Sequence, residues 1–178
     1  IDMSDFSDQA LTMAVVAAFG KTETRIRNIG HIRGQESDRV QVIVNELNRM
    51  GCDAKIVEEG GSTDVIITPG KLHGAEIETY DDHRVAMSFA VAGLAVDGIV
   101  IKNPMCCRKT FENYFDVLET IENHTNKIRQ NVEVKYSPKK IAGFLCFGML
   151  GFINEAHGEK TSIEEIKREA NQLLRDIL

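Results

Sequence analysis

The chain has 178 residues, 43% of them apolar, with 21 basic and 27 acidic side chains and a formal net charge of −6. This is enough apolar matter for one domain with a buried core, or one domain plus an appendage, and it excludes a disordered, collagen-like or fibrous chain. The acidic balance argues against nonspecific nucleic-acid or membrane-surface binding as the main role and leaves room for local basic sites.

In chain order, Ser7 or Asp8 can cap a helix running to about Phe19, rich enough in Ala, Leu and Val for burial on most sides, with Gly20 as its stop. Residues Thr22 to Asn28 alternate as a strand with one wet face. Val40, Ile43, Val44 and Leu47 recur at helical spacing up to Gly51, and two short strands follow, Ala54 to Val57 and Asp64 to Thr68, joined by Gly60-Gly61. The order then repeats: a strand near Glu76 to Thr79, a helix from about Asp82 to Val96, a strand Ile99 to Asn103 and a helix Phe111 to Ile121. A shift of about 75 residues superposes the helix end, the strand and the Ile-x-Asn of residues 19–28 on those of residues 94–103. The expected fold is α/β, built from two β-α-β-α-β-β units of which the second is cut short.

Composition changes after Glu122, where net charge goes from −8 to +2. Residues 1–122 therefore read as one domain, 123–135 as a polar linker, and 136–178 as a helical hairpin. In that hairpin Ser137-Pro138 caps one helix, and Ser162 with Glu165 forms a capping box for the next. Two amphipathic helices want a partner surface, which suggests self-association through 136–178. The longest apolar run, Ile141 to Ile153, has thirteen residues, against the roughly 20 that span a bilayer. Cys52, Cys106, Cys107 and Cys146 contain no CxxC pair, so neither a zinc site nor a disulfide framework is indicated, and the thiols read as reduced and cytosolic. The chain starts at Ile1 without an initiator Met, a basic n-region or an apolar signal segment, and so reads as an excerpt.

Four charged clusters sit where helices begin: Asp8, the Arg33-Gly34-Gln35-Glu36-Ser37-Asp38-Arg39 string, Tyr80-Asp81-Asp82-His83-Arg84, and Lys109. If those helices share an orientation, their N-termini converge on one cleft whose dipoles favour anions. Each cluster also has a local reading. Asp8 fits an N-cap, Glu36 and Asp38 fit first-turn acids, Arg39 and Arg84 fit surface ion pairs, Lys109 fits a solvated cation, and His83 fits a structural hydrogen-bonder.

Taken together, Gln-Glu-Ser-Asp-Arg (35–39), Thr-Tyr-Asp-Asp-His-Arg-Val-Ala-Met-Ser-Phe (79–89) and Cys-Arg-Lys-Thr-Phe (107–111) closely resemble the C-terminal region of the 5-enolpyruvylshikimate-3-phosphate synthase family. The Asp-Met opening that leads to Asp8 fits as well, and the resemblance covers residues 1–122. It implies the enolpyruvyl transferase fold and, in the shikimate pathway to chorismate and the aromatic amino acids, transfer of the enolpyruvyl group of phosphoenolpyruvate to the 5-hydroxyl of shikimate 3-phosphate. By resemblance Asp8 is the carboxylate beside that hydroxyl, Glu36 handles the proton on the methylene carbon, and Lys109 binds the phosphate and assists proton transfer. Arg39 and Arg84 fit the carboxylate-binding pair, because planar guanidinium groups grip carboxylates bidentately. The reaction requires no cofactor and no metal. Gln35 stands where the family often has Lys, so its contact with the phosphoshikimate hydroxyls becomes an uncharged hydrogen bond, and Glu112 replaces a frequent Pro.

The family is a two-domain enzyme with its active site between the domains, and this chain supplies fewer than two copies of the repeated unit. The resemblance therefore implies a fragment that lacks the N-terminal half, its expected partner, and that has negligible activity alone. Residues 136–178 resemble the last helices of tetracycline-repressor-type regulators. The competing reading is a noncatalytic interaction or regulatory protein that dimerises through those helices; no DNA-reading helix accompanies them, so neither reading involves nucleic acid or a membrane.

Overall fold

The computed structural model describes residues 1–120, all within the first of two units into which the chain divides, Ile1–Val132. The expected linker over 123–135 and helical hairpin over 136–178 lie outside the described residues.

A 3-10 helix, Ser4–Gln9, leads into α1 (Ala10–Ala18), every residue of which is buried. That is what an uninterrupted run of Ala, Leu, Met and Val demands, since no face is polar enough to meet water. Each fully buried Leu or Val contributes about 1.5–3 kcal/mol of apolar transfer. Then come β1 (Thr24–Ile26), α2 (Arg39–Arg49), β2 (Asp53–Glu59) and β3 (Ser62–Thr68). Helix α2 is capped by Asp38, whose carboxylate accepts from the Gln41 N–H at 3.1 Å, and it buries Val40, Ile43 and Leu47 along one stripe. The β2–β3 hairpin turns on Gly60 and Gly61, with φ of +59° and +82°, left-handed values that glycine adopts at no steric cost.

The three strands form a sheet in the order β1-β3-β2, antiparallel throughout, with Thr24 opposite Ile67 and Ala54 opposite Ile67 from the other side. Inward residues Ile26, Val65 and Ile67 are fully buried, and β3 packs on α1. A parallel bridge, Asp2 to Arg27, extends the sheet beyond β1. The second half contributes β4 (Glu76–Ile77) and β5 (Val100–Ile101), paired in parallel, with α3 (His83–Ala92) between them in sequence. A 3-10 helix, Pro104–Lys109, follows, and residues 114–120 are helical.

The repeat read from the sequence is present in three dimensions. The Asp2 bridge, α1, β1, α2, β2 and β3 run in β-α-β-α-β-β order, and β4, α3, β5 and the 114–120 helix retrace the first four elements. Both copies carry an αL asparagine after the parallel strand, Asn28 at φ 61° and Asn103 at φ 45°, each followed by a 3-10 turn and a helix. Asn tolerates αL better than any other side chain, so the shared Ile-x-Asn marks a shared backbone bend.

Several elements differ in extent from the sequence expectation. Helix α3 stops at Ala92 rather than near Val96, and Leu94 and Ala95 donate to carbonyls three residues back. The chain must bend there because Gly74 lies against the Asp97–Gly98 backbone: a Cβ on Gly74 would come within 2.6 Å of the Asp97 carbonyl oxygen. Strands β1, β4 and β5 are shorter than their alternating patterns, and the last helix begins at residue 114 rather than 111. Among the described residues no helix is long and apolar enough to cross a membrane.

Candidate active site

Four segments converge: the 3-10 turn before α1, the loop before α2, the turn before α3, and the Pro104–Lys109 3-10 helix. The six residues singled out from the sequence, Asp8, Gln35, Glu36, Arg39, Arg84 and Lys109, form a nearly continuous polar network there.

Arg39 is at its centre. It opens α2 but points inward, with its side chain only 4% exposed. Its Nε donates to Asp82 Oδ2 at 2.8 Å and its Nη2 to Asp82 Oδ1 at 3.2 Å, a bidentate fork on a fully buried carboxylate. Its Nη1 donates to the Gln35 side-chain carbonyl and lies 3.5 Å from Asp8 Oδ1. The surface-pair reading of Arg39 is therefore overturned: a guanidinium this deep holds its place only because every nitrogen has a partner.

Asp8 does not cap α1. The N-cap is Gln9, without a side-chain hydrogen bond, because the chain enters α1 through a 3-10 turn that carries the Asp8 carboxylate sideways. That carboxylate accepts from Arg84 Nη2 at 2.9 Å, and Arg84 Nη1 also reaches the Asp8 carbonyl at 3.3 Å. This pair is well exposed. On the other flank one Glu36 oxygen, Oε2, lies 3.0 Å from Lys109 Nζ and 3.0 Å from His83 Nδ1. Desolvation pushes the Glu36 carboxyl up, but the Lys109 and His83 contacts outweigh it and hold it below the usual carboxylate range. The hydrogen bond to Glu36 correspondingly raises Lys109, which stays an ammonium.

Asp82, Ser37 and His83 were not singled out as site residues, yet Asp82 ties the site together. It caps α3 by accepting from the Arg84 N–H at 2.9 Å, takes the Ser37 hydroxyl at 2.9 Å and binds Arg39. Burial raises the Asp82 carboxyl, and the Arg39 hydrogen bonds and charge, with Ser37 and the Arg84 N–H, more than reverse this. The sequence signal was the Asp-Asp-His-Arg string itself; which of the two aspartates turns inward depends on the turn. Tyr80 and Asp81 both take positive φ, 54° and 56°. Such residues cost about 1–2 kcal/mol each and persist only where neighbours hold them. Here the fully buried Glu46 accepts from the Tyr80 hydroxyl at 2.9 Å and the Glu78 N–H at 3.1 Å, and Asn103 donates to Asp81 at 3.1 Å.

Glu36, Asp82 and His83 offer potential metal-ligand atoms within 4.8 Å of one another. The donors already facing them, Arg39, Ser37 and Lys109, satisfy these carboxylates, so the cluster reads as a hydrogen-bond network. A cleft of about 840 Å³, lined by Leu94, Ile99, Ile101, Met105, Phe115 and Leu118 among others, contains none of the six candidates. That cleft also carries Arg108, Glu112, Asn113 and Asp116, and it lies apart from the charged network that holds the candidates.

The repeated β-α-β-α-β-β α/β fold thus gathers carboxylates, guanidinium groups and an ammonium from four separated segments at converging helix starts, an arrangement with cations available to an anionic ligand. Residues 1–118 match the family model described as EPSP synthase (3-phosphoshikimate 1-carboxyvinyltransferase). The chain belongs to the EPSP synthase family, a family of carboxyvinyl transferases. It is 51% identical over 115 residues to the 3-phosphoshikimate 1-carboxyvinyltransferase of Nostoc punctiforme (65% of this chain, 26% of the relative). It is 45% identical over 124 residues to the chloroplastic enzyme of Brassica napus (70% and 23%). Among solved structures, EPSP synthase from Acinetobacter baumannii superposes with a TM-score of 0.57 at 32% identity, covering 64% of this chain and 27% of that one. The chain thus spans about a quarter of the length of the relatives it matches.

Proposed function

We propose that residues 1–122 supply one wall of a carboxyvinyl transfer site that takes phosphoenolpyruvate and shikimate 3-phosphate, the other wall coming from the remaining length of the enzyme. The observation that carries this reading is the contiguous network from Lys109 through Glu36 and His83 to Asp82, Arg39, Asp8 and Arg84. It sets two carboxylates apart, one on each flank, with cations beside both.

In this reading the acceptor's 5-oxygen attacks C2 of phosphoenolpyruvate while C3 gains a proton, and elimination then breaks the C2–O bond to phosphate as C3 loses one. Asp8, exposed on one flank, takes the proton of the attacking hydroxyl. Glu36 handles the C3 proton: the Lys109 and His83 contacts keep it an ionised carboxylate able to accept that proton in the elimination step, and the Lys109 ammonium 3.0 Å away suits proton relay and binding of the departing phosphate. Arg84 and the Nη1 side of Arg39 bind the carboxylate of phosphoenolpyruvate, exchanging Asp8 for the ligand. Gln35, engaged with Arg39, contributes an uncharged contact toward the phosphoshikimate hydroxyls. The free Cys52, Cys106 and Cys107 suit a reducing compartment such as the cytoplasm.

The test is turnover with both substrates, for the chain alone and mixed with the complementary N-terminal portion of a relative. Negligible activity alone and recovery on mixing are expected. Phosphoenolpyruvate should also protect Lys109 from amine-directed modification; robust turnover by the chain alone, or no protection, contradicts the reading.

A further inference from the structure

Within the network the Asp82–Arg39 pair is the most deeply buried, with side chains 0% and 4% exposed. Asp82 is fully buried and faces no open space, so it does not touch a reactant. Its two oxygens nevertheless take four donors from three segments: Arg39 Nε and Nη2, the Ser37 hydroxyl, and the Arg84 N–H at the start of α3. One carboxylate therefore fixes the roll of the Arg39 guanidinium, the loop that presents Glu36, and the helix start that presents Arg84.

We propose that Asp82 is a positioning residue: it grips the Nε–Nη2 edge of Arg39 so that only the Nη1 side is offered to an anionic ligand, beside Arg84. Gln35 limits the same group from the other side by accepting from Nη1. A guanidinium is a planar fork of five N–H donors, so fixing one edge fixes the direction of the other three. Carboxylate recognition depends on that direction, whereas a phosphate held by the Lys109 point charge does not. The selectivity that follows rests on the function proposed above; the orientation of Arg39 does not.

The full-length chain with Asp82→Asn is the test. Asn keeps the shape and is itself a good N-cap, so the start of α3 survives while the charge and one acceptor facing Arg39 are lost. Phosphoenolpyruvate and inorganic phosphate are titrated separately. Loss of one charge-assisted contact should weaken phosphoenolpyruvate about tenfold. Inorganic phosphate, held at Lys109, should change by less than about twofold, because its point-charge contact does not depend on guanidinium direction. A general loosening of the fold would weaken both alike, and an unchanged preference for phosphoenolpyruvate would overturn the proposal while leaving the function intact. A ligand-free readout separates the two claims: the Arg39 Nε–H, followed by nitrogen-resolved NMR, should exchange slowly in the parent and rapidly in Asp82→Asn. If the parent binds neither ligand, the titrations are repeated with the complementary N-terminal portion added; no binding there either defeats the proposed function, and the exchange rate alone then decides for or against positioning. Should Asp82→Asn not fold, Ser37→Ala, which removes only the hydroxyl from Asp82 Oδ2, carries the same comparison with a smaller shift in the same direction; no shift there counts against the proposal.

Discussion

Arg39–Asp82 and Arg84–Asp8 are chemically the same ion pair, a guanidinium on an aspartate, and they neighbour one another in the same network. The first is almost dry, with side chains 4% and 0% exposed, and its guanidinium grips both carboxylate oxygens; the second is 32% and 53% exposed, and its guanidinium reaches one carboxylate oxygen and the Asp8 backbone carbonyl. Burial decides what each pair is for. A charge taken out of water must be answered by fixed partners, so the dry pair is committed to holding α2 against the start of α3. The wet pair gives up little when it opens, as the exchange of Asp8 for a ligand carboxylate proposed above requires.

Breaking the dry pair should have the largest effect. Asp82→Ala leaves the Arg39 guanidinium buried without its counter-charge and is expected to lower unfolding free energy by about 3–5 kcal/mol in urea denaturation. A loss under about 1 kcal/mol would mean that Arg39 swings out to water, and the contrast with the wet pair would collapse. Glu46→Ala comes next, because it strands the Glu78 N–H and the Tyr80 hydroxyl beneath the strained turn; about 1–3 kcal/mol is expected by the same measurement. Arg84→Ala should change stability by no more than about 1 kcal/mol and should instead appear as weakened phosphoenolpyruvate binding in calorimetry.

Acid sharpens the comparison. The folded-state pKa of Asp82 lies below its ordinary 3.8, so the stability it contributes is fully present above pH 3.8 and is lost as pH falls through the folded value. Glu36 behaves the same way from its ordinary 4.5 downward, with a smaller share because it is partly exposed. A denaturation midpoint followed from pH 6 to pH 2 should therefore decline mainly below about pH 4, and Asp82→Asn should flatten that decline. An equally steep acid profile in the variant would assign the transition to other carboxylates.

Much of the architecture was legible because it is local. The burial of α1, the α2 stripe, the Gly60-Gly61 hairpin and the repeat at a shift of about 75 residues all follow from periodicity and turn chemistry within short windows. The short 3-10 turns at Gly30–Gly34 and Pro104–Lys109 were missed, having too few residues to show a period. The candidate site was legible as a set of residues, because four charged strings stand at helix starts, but not as a set of contacts.

The sequence by itself determined the α/β order, the internal repeat and which charged residues were candidates, since residue spacing and turn chemistry act over a few positions. Only the tertiary structure decided that Asp8 leaves the helix cap to face Arg84, that Arg39 goes inside, and that Asp82 rather than Asp81 receives it across 43 residues of chain. Those choices depend on which groups lose water together when α1, α2 and α3 pack, and desolvation belongs to the assembled fold rather than to any stretch of it.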